Sequence, residues 1–343
     1  MPVEYPFKGS PMPIDIIQEG ENTFILALKT GRRYFKEPFF IDSLYIHYKI
    51  PLKDIHLEID ALTRSFEGLE NNQDIIKIPL NDFIEYYLHK GADCKSLFIF
   101  HMSRCGSTLI SQMLSEVGSF FVVSEPPIIN KILDPNLLLP QNLVKDLIKS
   151  SINAIKDCCP RPATFAVIKF RSWNVLFIEQ MLNAFAEVPW MFVHRNGPEV
   201  LSSLIIKPAG WVRSKQLYSK FYAEQLGLDI GYVKNCDESE FVGRMLGLYC
   251  KTALKFKNKR SQFLDYIDIK TSLFTSLELL LEIELNEHEK TLMASRMLFD
   301  SKEINSQRFE SDSDQKRRLL NNEQKKYIQD FTETERKRLF NPL

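Results

Sequence analysis

The segment from Ser96 to Ile110 constrains this chain more than any other. Ser96-Leu97-Phe98-Ile99-Phe100 is a short, continuous apolar run without alternation, the pattern of a strand buried on both faces. A tight polar turn follows at once, His101-Met102-Ser103-Arg104-Cys105-Gly106-Ser107-Thr108, and Leu109-Ile110 starts a helix. Strand, turn and helix in this order aim successive backbone N–H groups at a common centre on a helix N-terminus, where the helix dipole adds its pull. The segment therefore reads as an anion loop. Gly106 allows close approach, and Ser107 and Thr108 add hydroxyl donors. The plainer alternative is a helix start that Ser103 or Ser107 merely caps.

Similar apolar runs recur as Phe120 to Val123, Thr164 to Ile168 and Pro189 to Val193. Helical patterns lie between and after them, at Leu109 to Val117, Gln141 to Lys156, Trp173 to Ala186 and Glu199 to Ile206. Alternating β and α segments predict a three-layer α/β fold, a central parallel sheet with helices on both faces, and the anion loop after its first strand makes the core P-loop-like. Before residue 90 the periodicity is mixed, with an expected hairpin in Thr23 to Tyr48 and a helix from Leu80 to His89 that Asn81 could cap. Beyond Pro208 the pattern is helical, over Ser239 to Phe256 and Leu273 to Phe299, and the final stretch from Ser301 to Leu343 is charge-rich, its end reading as a solvated helix.

Lysine plus arginine and aspartate plus glutamate number 44 each, so no global field favours nucleic acid or an anionic membrane, and a phosphate site must be local. The six cysteines form no CxxC pair or regular framework, which fits a reducing, cytoplasmic setting. Met1 to Pro6 lacks the basic and apolar regions of a secretory signal. Val175 to Val193 is interrupted by polar residues and by Pro189, so it reads as helix, turn and strand rather than a membrane span. The histidines form no HExxH or clustered ligand set, and no metal is expected. A Walker loop would need a lysine where Ser107 stands and a glycine where His101 stands, which disfavours a magnesium-dependent kinase. Cys105 sits where a helix N-terminus and Arg104 would lower its pKa, yet position 111 is serine, not the arginine of the phosphatase signature.

The loop resembles the PKSGTT or PRSGST loop of sulfotransferases, with Arg104 at its basic position. Three further segments match that family in order. Glu125, in Val123-Ser124-Glu125-Pro126-Pro127, stands where the tyrosylprotein and bacterial branches carry a catalytic glutamate. Lys169 ends the strand Phe165 to Ile168 where that branch has a lysine near the transferred group, and Arg171 could substitute. Arg195, at the end of Phe192-Val193-His194, and Ser203 match the family's 3′-phosphate segment, with Ser202 as the register alternative. The likeness runs from about Leu97 to Ile206 and departs from the better known branches at Cys105 and at Leu109, where they have tryptophan.

The resemblance implies a sulfotransferase that moves a sulfuryl group from 3′-phosphoadenosine 5′-phosphosulfate to a hydroxyl-bearing acceptor, a small molecule, glycan or peptide. Glu125, Arg104 and Lys169 would be catalytic, and Ser103, Arg104, Cys105, Gly106, Ser107, Thr108, Arg195 and Ser203 would bind the donor. Burial between strand ends would raise the Glu125 pKa toward a range useful for a base, with His101 as runner-up. It also implies an N-terminal lobe over residues 1–90 and a sulfotransferase-like domain over 91–343 whose segments beyond 207 include a lid. Asp265-Tyr266-Ile267 and Arg308 to Arg318 only faintly echo the family's later elements, and Trp211 is a candidate acceptor wall. Tyr218, Phe221 and Tyr222 fit a helix core equally well. The competing readings are a P-loop kinase or nucleotide hydrolase, and a non-catalytic nucleotide-binding module on the same fold.

Overall fold

The structure, a computed structural model, describes residues 10–48, 73–90, 93–137, 139–299, 301 and 319–340. Five parallel strands make its centre: β4 (Lys95–His101), β5 (Phe120–Ser124), β6 (Phe165–Lys169), β7 (Trp190–His194) and β8 (Ser261–Asp265), in the spatial order β5-β6-β4-β7-β8. The three-layer α/β class holds. Strands β5, β6 and β7 are buried at every position and β4 at all but Lys95, so helices cover both faces of the sheet. The aromatic side chains of these runs interlock, Phe100 stacking on Phe170 at 4.8 Å between centroids and meeting Trp190 edge-on at 5.9 Å.

The fifth strand has no counterpart in the sequence reading, because an edge strand is buried only in part and Ser261-Gln262-Phe263-Leu264-Asp265 lacks a continuous apolar run. Four other expectations change. The hairpin lies earlier, pairing β1 (Pro11–Glu19) with β2 (Asn22–Lys29) across a turn at Gly20, while Phe40–Tyr48 is a helix, α1. The helix α2 (Leu80–Leu88) starts after Pro79 without a side-chain cap, so Asn81 does not cap it. Trp173 to Ala186 is a 3-10 turn, Ser172–Phe177, followed by the short helix α6 (Ile178–Ala184), and then a turn into β7. Leu273 to Phe299 is two helices, α12 (Ile269–Leu281) and α13 (Glu287–Ser295), broken where Glu282 takes a left-handed conformation and Asn286 caps the second.

A small antiparallel sheet, β1-β2-β3 with β3 at Ile75–Pro79, packs its strand β1 on the helices α4 (Pro127–Ile132) and α5 (Gln141–Asp157). The other helices of the parallel unit are α3 (Ser107–Ser115), α7 (Gly197–Ile206) and the long α11 (Glu238–Lys255), with α8 (Gly210–Arg213), α9 (Ser219–Leu226) and α10 (Ile230–Asn235) between the last two. Trp211 is buried against Phe241 and Tyr249 of α11, and Tyr218 and Tyr222 are buried beside it, so Trp211 belongs to the core and walls no acceptor site.

Among the described residues, 319–340 are docked along one face rather than wholly solvated. A π-helical turn at Ile328–Glu333 and the helix Thr334–Phe340 lie along α11, where a Cβ at Gly247 would overlap the Phe331 carbonyl oxygen. Thr332 donates its hydroxyl to the Gly243 carbonyl at 2.8 Å. Arg308 to Arg318 lies outside the described residues.

Candidate functional site

Parallel strands present their carboxyl ends together, and ligands bind such sheets in the crevice outside those ends. In strand order that edge carries Glu125 after β5, Lys169 closing β6, the 103–108 loop after β4, Arg195 after β7 and Tyr266 after β8. The register makes this placement tight: Ser124 pairs with Lys169, Lys169 with Ile99, His101 with Val193 and His194 with Asp265.

The loop has the geometry of an anion nest. Ser103, Arg104 and Gly106 have φ of 84°, 48° and 85°, so the chain coils tightly before α3 begins. Gly106 is the N-cap residue and no side chain caps the helix, which removes the reading of Ser103 or Ser107 as simple caps. The first-turn N–H groups have no intrahelical acceptor, the property of a helix end that an anion site uses. At a left-handed φ, Gly106 also meets a wall, since a Cβ there would stand 2.6 Å from Tyr266 Cδ2 and 2.8 Å from Ile269 Cδ1. Arg104 donates Nη2 to the Lys207 carbonyl at 2.5 Å. Burial lowers its pKa from the ordinary guanidinium range, against the pull of Glu125 and together with the repulsion of Arg213. Cys105 is buried with its thiol on the Val193 carbonyl at 3.1 Å, and burial pushes its pKa up to about 11, the reverse of the lowering that a helix N-terminus and Arg104 would give.

Glu125 is held on three sides. Its backbone, at φ 60°, donates N–H to the Lys169 carbonyl at 2.6 Å, and its carboxylate takes Lys169 Nζ on Oε1 at 2.6 Å and faces Arg171 Nε from Oε2 at 3.5 Å. The Glu125 side chain is 19% exposed and that of Lys169 is fully buried. Burial alone would raise the carboxyl pKa, as expected from sequence, but Lys169, Arg171 and His101 outweigh it and the net shift is downward. Lys169 does not reach solvent; it stays on Glu125 with its ammonium 4.9 Å from the centroid of Phe39.

His101 is buried with both ring nitrogens engaged. Its Nδ1 accepts the Ser103 N–H at 3.1 Å and its Nε2 lies 3.0 Å from the Phe170 carbonyl. His194 is likewise buried and neutral, its pKa lowered to about 3 by burial and by Arg336.

On the other side of the loop, Arg195 donates Nε to Glu199 Oε2 at 2.8 Å, and its guanidinium lies 4.0 Å from the Tyr266 ring centroid. Ser203 is half-buried on α7, whereas Ser202 is fully buried with its hydroxyl on the Pro198 carbonyl at 2.9 Å, which removes the register alternative.

Three neighbours of this edge carried no assigned role in the sequence reading. Tyr266 covers Gly106 and stacks on Arg195, a role that follows from the missed strand β8. Phe39 and Asp42 come from the N-terminal segment, which carried no functional signal. Burial, with the nearby charges of Glu37 and Glu125, raises the Asp42 carboxyl to about 6. A lone aspartate in the first turn of a helix offers no sequence signal of that.

Among solved structures, the chain is similar to a sulfotransferase from Mycobacterium avium, at 11% identity and a TM-score of 0.42, over 74% of this chain and 81% of that one. It is also similar to the sulfotransferase domain of the curacin biosynthetic pathway, at 14% identity and a TM-score of 0.39, over 62% and 80%. A third is retinol dehydratase in complex with androsterone and the inactive cofactor PAP, at 13% identity and a TM-score of 0.36, over 95% and 91%. No protein-family model and no curated protein matches this chain.

Proposed function

We propose that this protein transfers a sulfuryl group from 3′-phosphoadenosine 5′-phosphosulfate to an acceptor hydroxyl. One observation carries the reading: the uncapped, left-handed 103–106 turn opens α3 between the Glu125–Lys169 pair on one side and Arg195 on the other, all on one sheet edge.

The residues fit the donor's three anionic parts. The 5′-side phosphate lies on the backbone of Cys105 to Thr108, with Arg104 and Lys169 against the charge that builds on the leaving oxygen. Arg195, oriented by Glu199 and Tyr266, takes the 3′-phosphate with Ser203 from the following helix. When bound, the donor supplies an activated sulfuryl group, and the protein contributes positioning and charge stabilisation.

Glu125 is a carboxylate at neutral pH, so it is ready to accept the acceptor's proton. Its basicity is held down while Lys169 stays on Oε1 and rises as that ammonium turns toward other negative charge. A second base, Asp42, is favoured by its raised pKa of about 6 beside Glu125.

Two measurements test the proposal. Thermal unfolding with 3′-phosphoadenosine 5′-phosphate should show stronger stabilisation than with ATP and magnesium, since a ligand selective for the native state stabilises by mass action; the reverse order overturns the reading in favour of a kinase or hydrolase. In a sulfuryl-transfer assay, Glu125→Gln should lower turnover by about 10² to 10⁴ with donor affinity nearly unchanged. If Glu125→Gln keeps its turnover and Asp42→Asn loses it, the base is Asp42.

A further inference from the structure

We propose that Cys94 and Cys159 are a redox-active pair, oxidised by hydrogen peroxide to a reversible disulfide that joins the entry of β4 to the turn between α5 and β6. The pair stands at the amino-terminal end of the parallel sheet, away from the edge that carries the 103–108 loop, and is independent of the sulfuryl-transfer reading.

The fold brings the two cysteines together from distant parts of the chain. Cys94 directly precedes β4, and Cys159 follows the carboxyl end of α5. One backbone carbonyl, that of Lys156, accepts both the Cys159 N–H at 3.0 Å and the Cys94 thiol at 3.6 Å. The first rung of the ladder fixes the two segments beside each other, Lys95 donating its N–H to the Thr164 carbonyl at 2.9 Å. The Cys94 and Cys159 side chains are hydrogen-bonded to each other, and neither is in a disulfide.

Both residues line one small cavity with Arg32, Lys156 and Arg161. Its volume is about 80 Å³. A water takes up about 30 Å³, so hydrogen peroxide, with two oxygens, fits. Cations beside the sulfur suit this oxidant, because breaking the O–O bond develops negative charge on the departing oxygen. Arg161 is engaged with Asp93 at 3.6 Å, whereas the charge of Lys156 acts on Cys94 and that of Arg32 on Cys159.

The thiolate is the reactive form of cysteine, and the surroundings favour it at Cys94. The hydrogen bond with Cys159 lowers the Cys94 pKa from the ordinary thiol value, with burial opposing and Lys156 assisting. Burial raises the pKa of each of the four cysteines outside the pair, Cys105, Cys158, Cys236 and Cys250. Cys159 is raised as well, chiefly by its bond to Cys94, so it keeps its proton until Cys94 has reacted.

The Cys94 thiolate attacks one peroxide oxygen, the O–O bond breaks, and the departing hydroxide takes a proton and leaves as water. Cys94 is thereby oxidised to a sulfenic acid and the peroxide is reduced. That step removes the negative sulfur that held the Cys159 proton. Cys159 then gives up its proton and attacks the Cys94 sulfur, forming the S–S bond, breaking the S–O bond and releasing a second water.

Treatment of the reduced full chain with hydrogen peroxide, followed by alkylation and peptide mapping, tests this. The expected product is a Cys94–Cys159 bridge, two hydrogens lighter than the parent and fully reversed by dithiothreitol. Cross-linking closes a long loop in the unfolded chain, so the oxidised form should also melt at a higher temperature than the reduced one. Cys159→Ser should stop at a Cys94 sulfenic acid that dimedone traps, and Cys94→Ser should slow oxidation of Cys159 by about ten-fold or more. If either variant fails to fold, the map of the parent and its melting temperature decide. Peroxide treatment that leaves both thiols alkylatable, or bridges Cys94 to Cys158 instead, overturns the assignment. So does a bridge that fails to raise the melting temperature, or a folded Cys94→Ser chain that oxidises at Cys159 as fast as the parent.

Discussion

The helices α3 and α7 begin alike and end up with different chemistry. Each follows the carboxyl end of a central parallel strand, β4 for α3 and β7 for α7, and each has a glycine at its start, Gly106 and Gly197. At α3 no side chain caps the N-terminus and the turn before it is left-handed. At α7 the Gly197 N–H is taken by Glu333 Oε1 at 2.7 Å, from a segment 136 residues away in sequence. Glu333 is bound in turn by Arg336, through Nε at 3.0 Å and Nη2 at 2.9 Å, and Arg336 Nη1 reaches Asp265 Oδ2 at 2.6 Å. A carboxylate therefore sits at α7 in the kind of place where α3 is proposed to hold a phosphate. A helix start after a parallel strand is an anion site by default, and a distant acid decides whether that site is kept for a ligand or closed as structure.

Removing the acid is the most direct way to break this comparison. Glu333→Ala leaves the Gly197 N–H and the Arg336 guanidinium without their shared acceptor in a buried setting, and the expected loss of stability is about 3 to 5 kcal/mol. Chemical denaturation measures it. Glu333→Gln keeps an acceptor for Gly197 and should lose less. A variant as stable as the parent would show that the cap is dispensable and that the two helix ends do not differ in the way described.

Arg195→Ala sharpens the contrast on the ligand side, because Arg195 leads into the capped helix while being proposed to serve the open site. Losing a charge-assisted contact should weaken binding by about 1.5 to 3 kcal/mol. The loss should fall on the 3′-phosphorylated nucleotide and spare adenosine 5′-phosphosulfate. Equal losses for the two would remove Arg195 from the 3′-phosphate site.

Gly106→Ala attacks the open end itself. A side chain at φ 85° costs about 1 to 2 kcal/mol in backbone conformation, and its Cβ meets Tyr266 and Ile269. The expected outcome is a modest fall in melting temperature with stabilisation by 3′-phosphoadenosine 5′-phosphate abolished. If the nucleotide still stabilises the variant as it does the parent, the nest is not where the nucleotide binds.

The smallest effect is a pH dependence in which two groups oppose each other. His194, next to the Arg336 network, has its pKa lowered from 6.5 to about 3, so the unfolded chain binds more protons in that interval and stability falls as pH drops below about 6.5. Asp42, beside Glu125, is raised from 3.8 to about 6, so the folded chain binds more protons there and stability falls as pH rises toward 6. Between about pH 4.5 and 6 the two slopes oppose each other in the parent chain. Urea denaturation across that window should show stability rising with pH in Asp42→Asn and falling with pH in His194→Gln. If both variants keep the parent's slope, neither group titrates as described.

Much of the sheet edge was legible in residue order alone. A continuous apolar run such as Leu97 to Phe100 or Phe120 to Val123 needs burial on both faces, and a parallel sheet under helices is the common way to provide it. The turn at Ser103 to Thr108 could be placed because a glycine and small hydroxyl residues between strand and helix favour a tight nest. Lys169 and Arg195 stand at strand ends, and a strand end in a parallel sheet has only one edge on which to lie. These are local properties, written over short stretches of chain.

What the sequence could not determine depends on residues far apart in it. The edge strand β8 is buried only in part, so its residues carry little pattern, and Tyr266 could not be seen as the cover of Gly106. The sign of the Glu125 shift was set by Lys169 and Arg171 standing within 4 Å, since nearby positive charge outweighed the effect of burial that sequence reasoning had followed. The His101 ring is held by two backbone groups, one of them the carbonyl of Phe170 just beyond β6. Sequence by itself determined four of the five parallel strands, where the tight turn between β4 and α3 lies and which charged residues close those strands. The tertiary structure alone decided which helix end stays open and which protons are held, because Coulomb attraction and desolvation depend on distance in space and not on order along the chain.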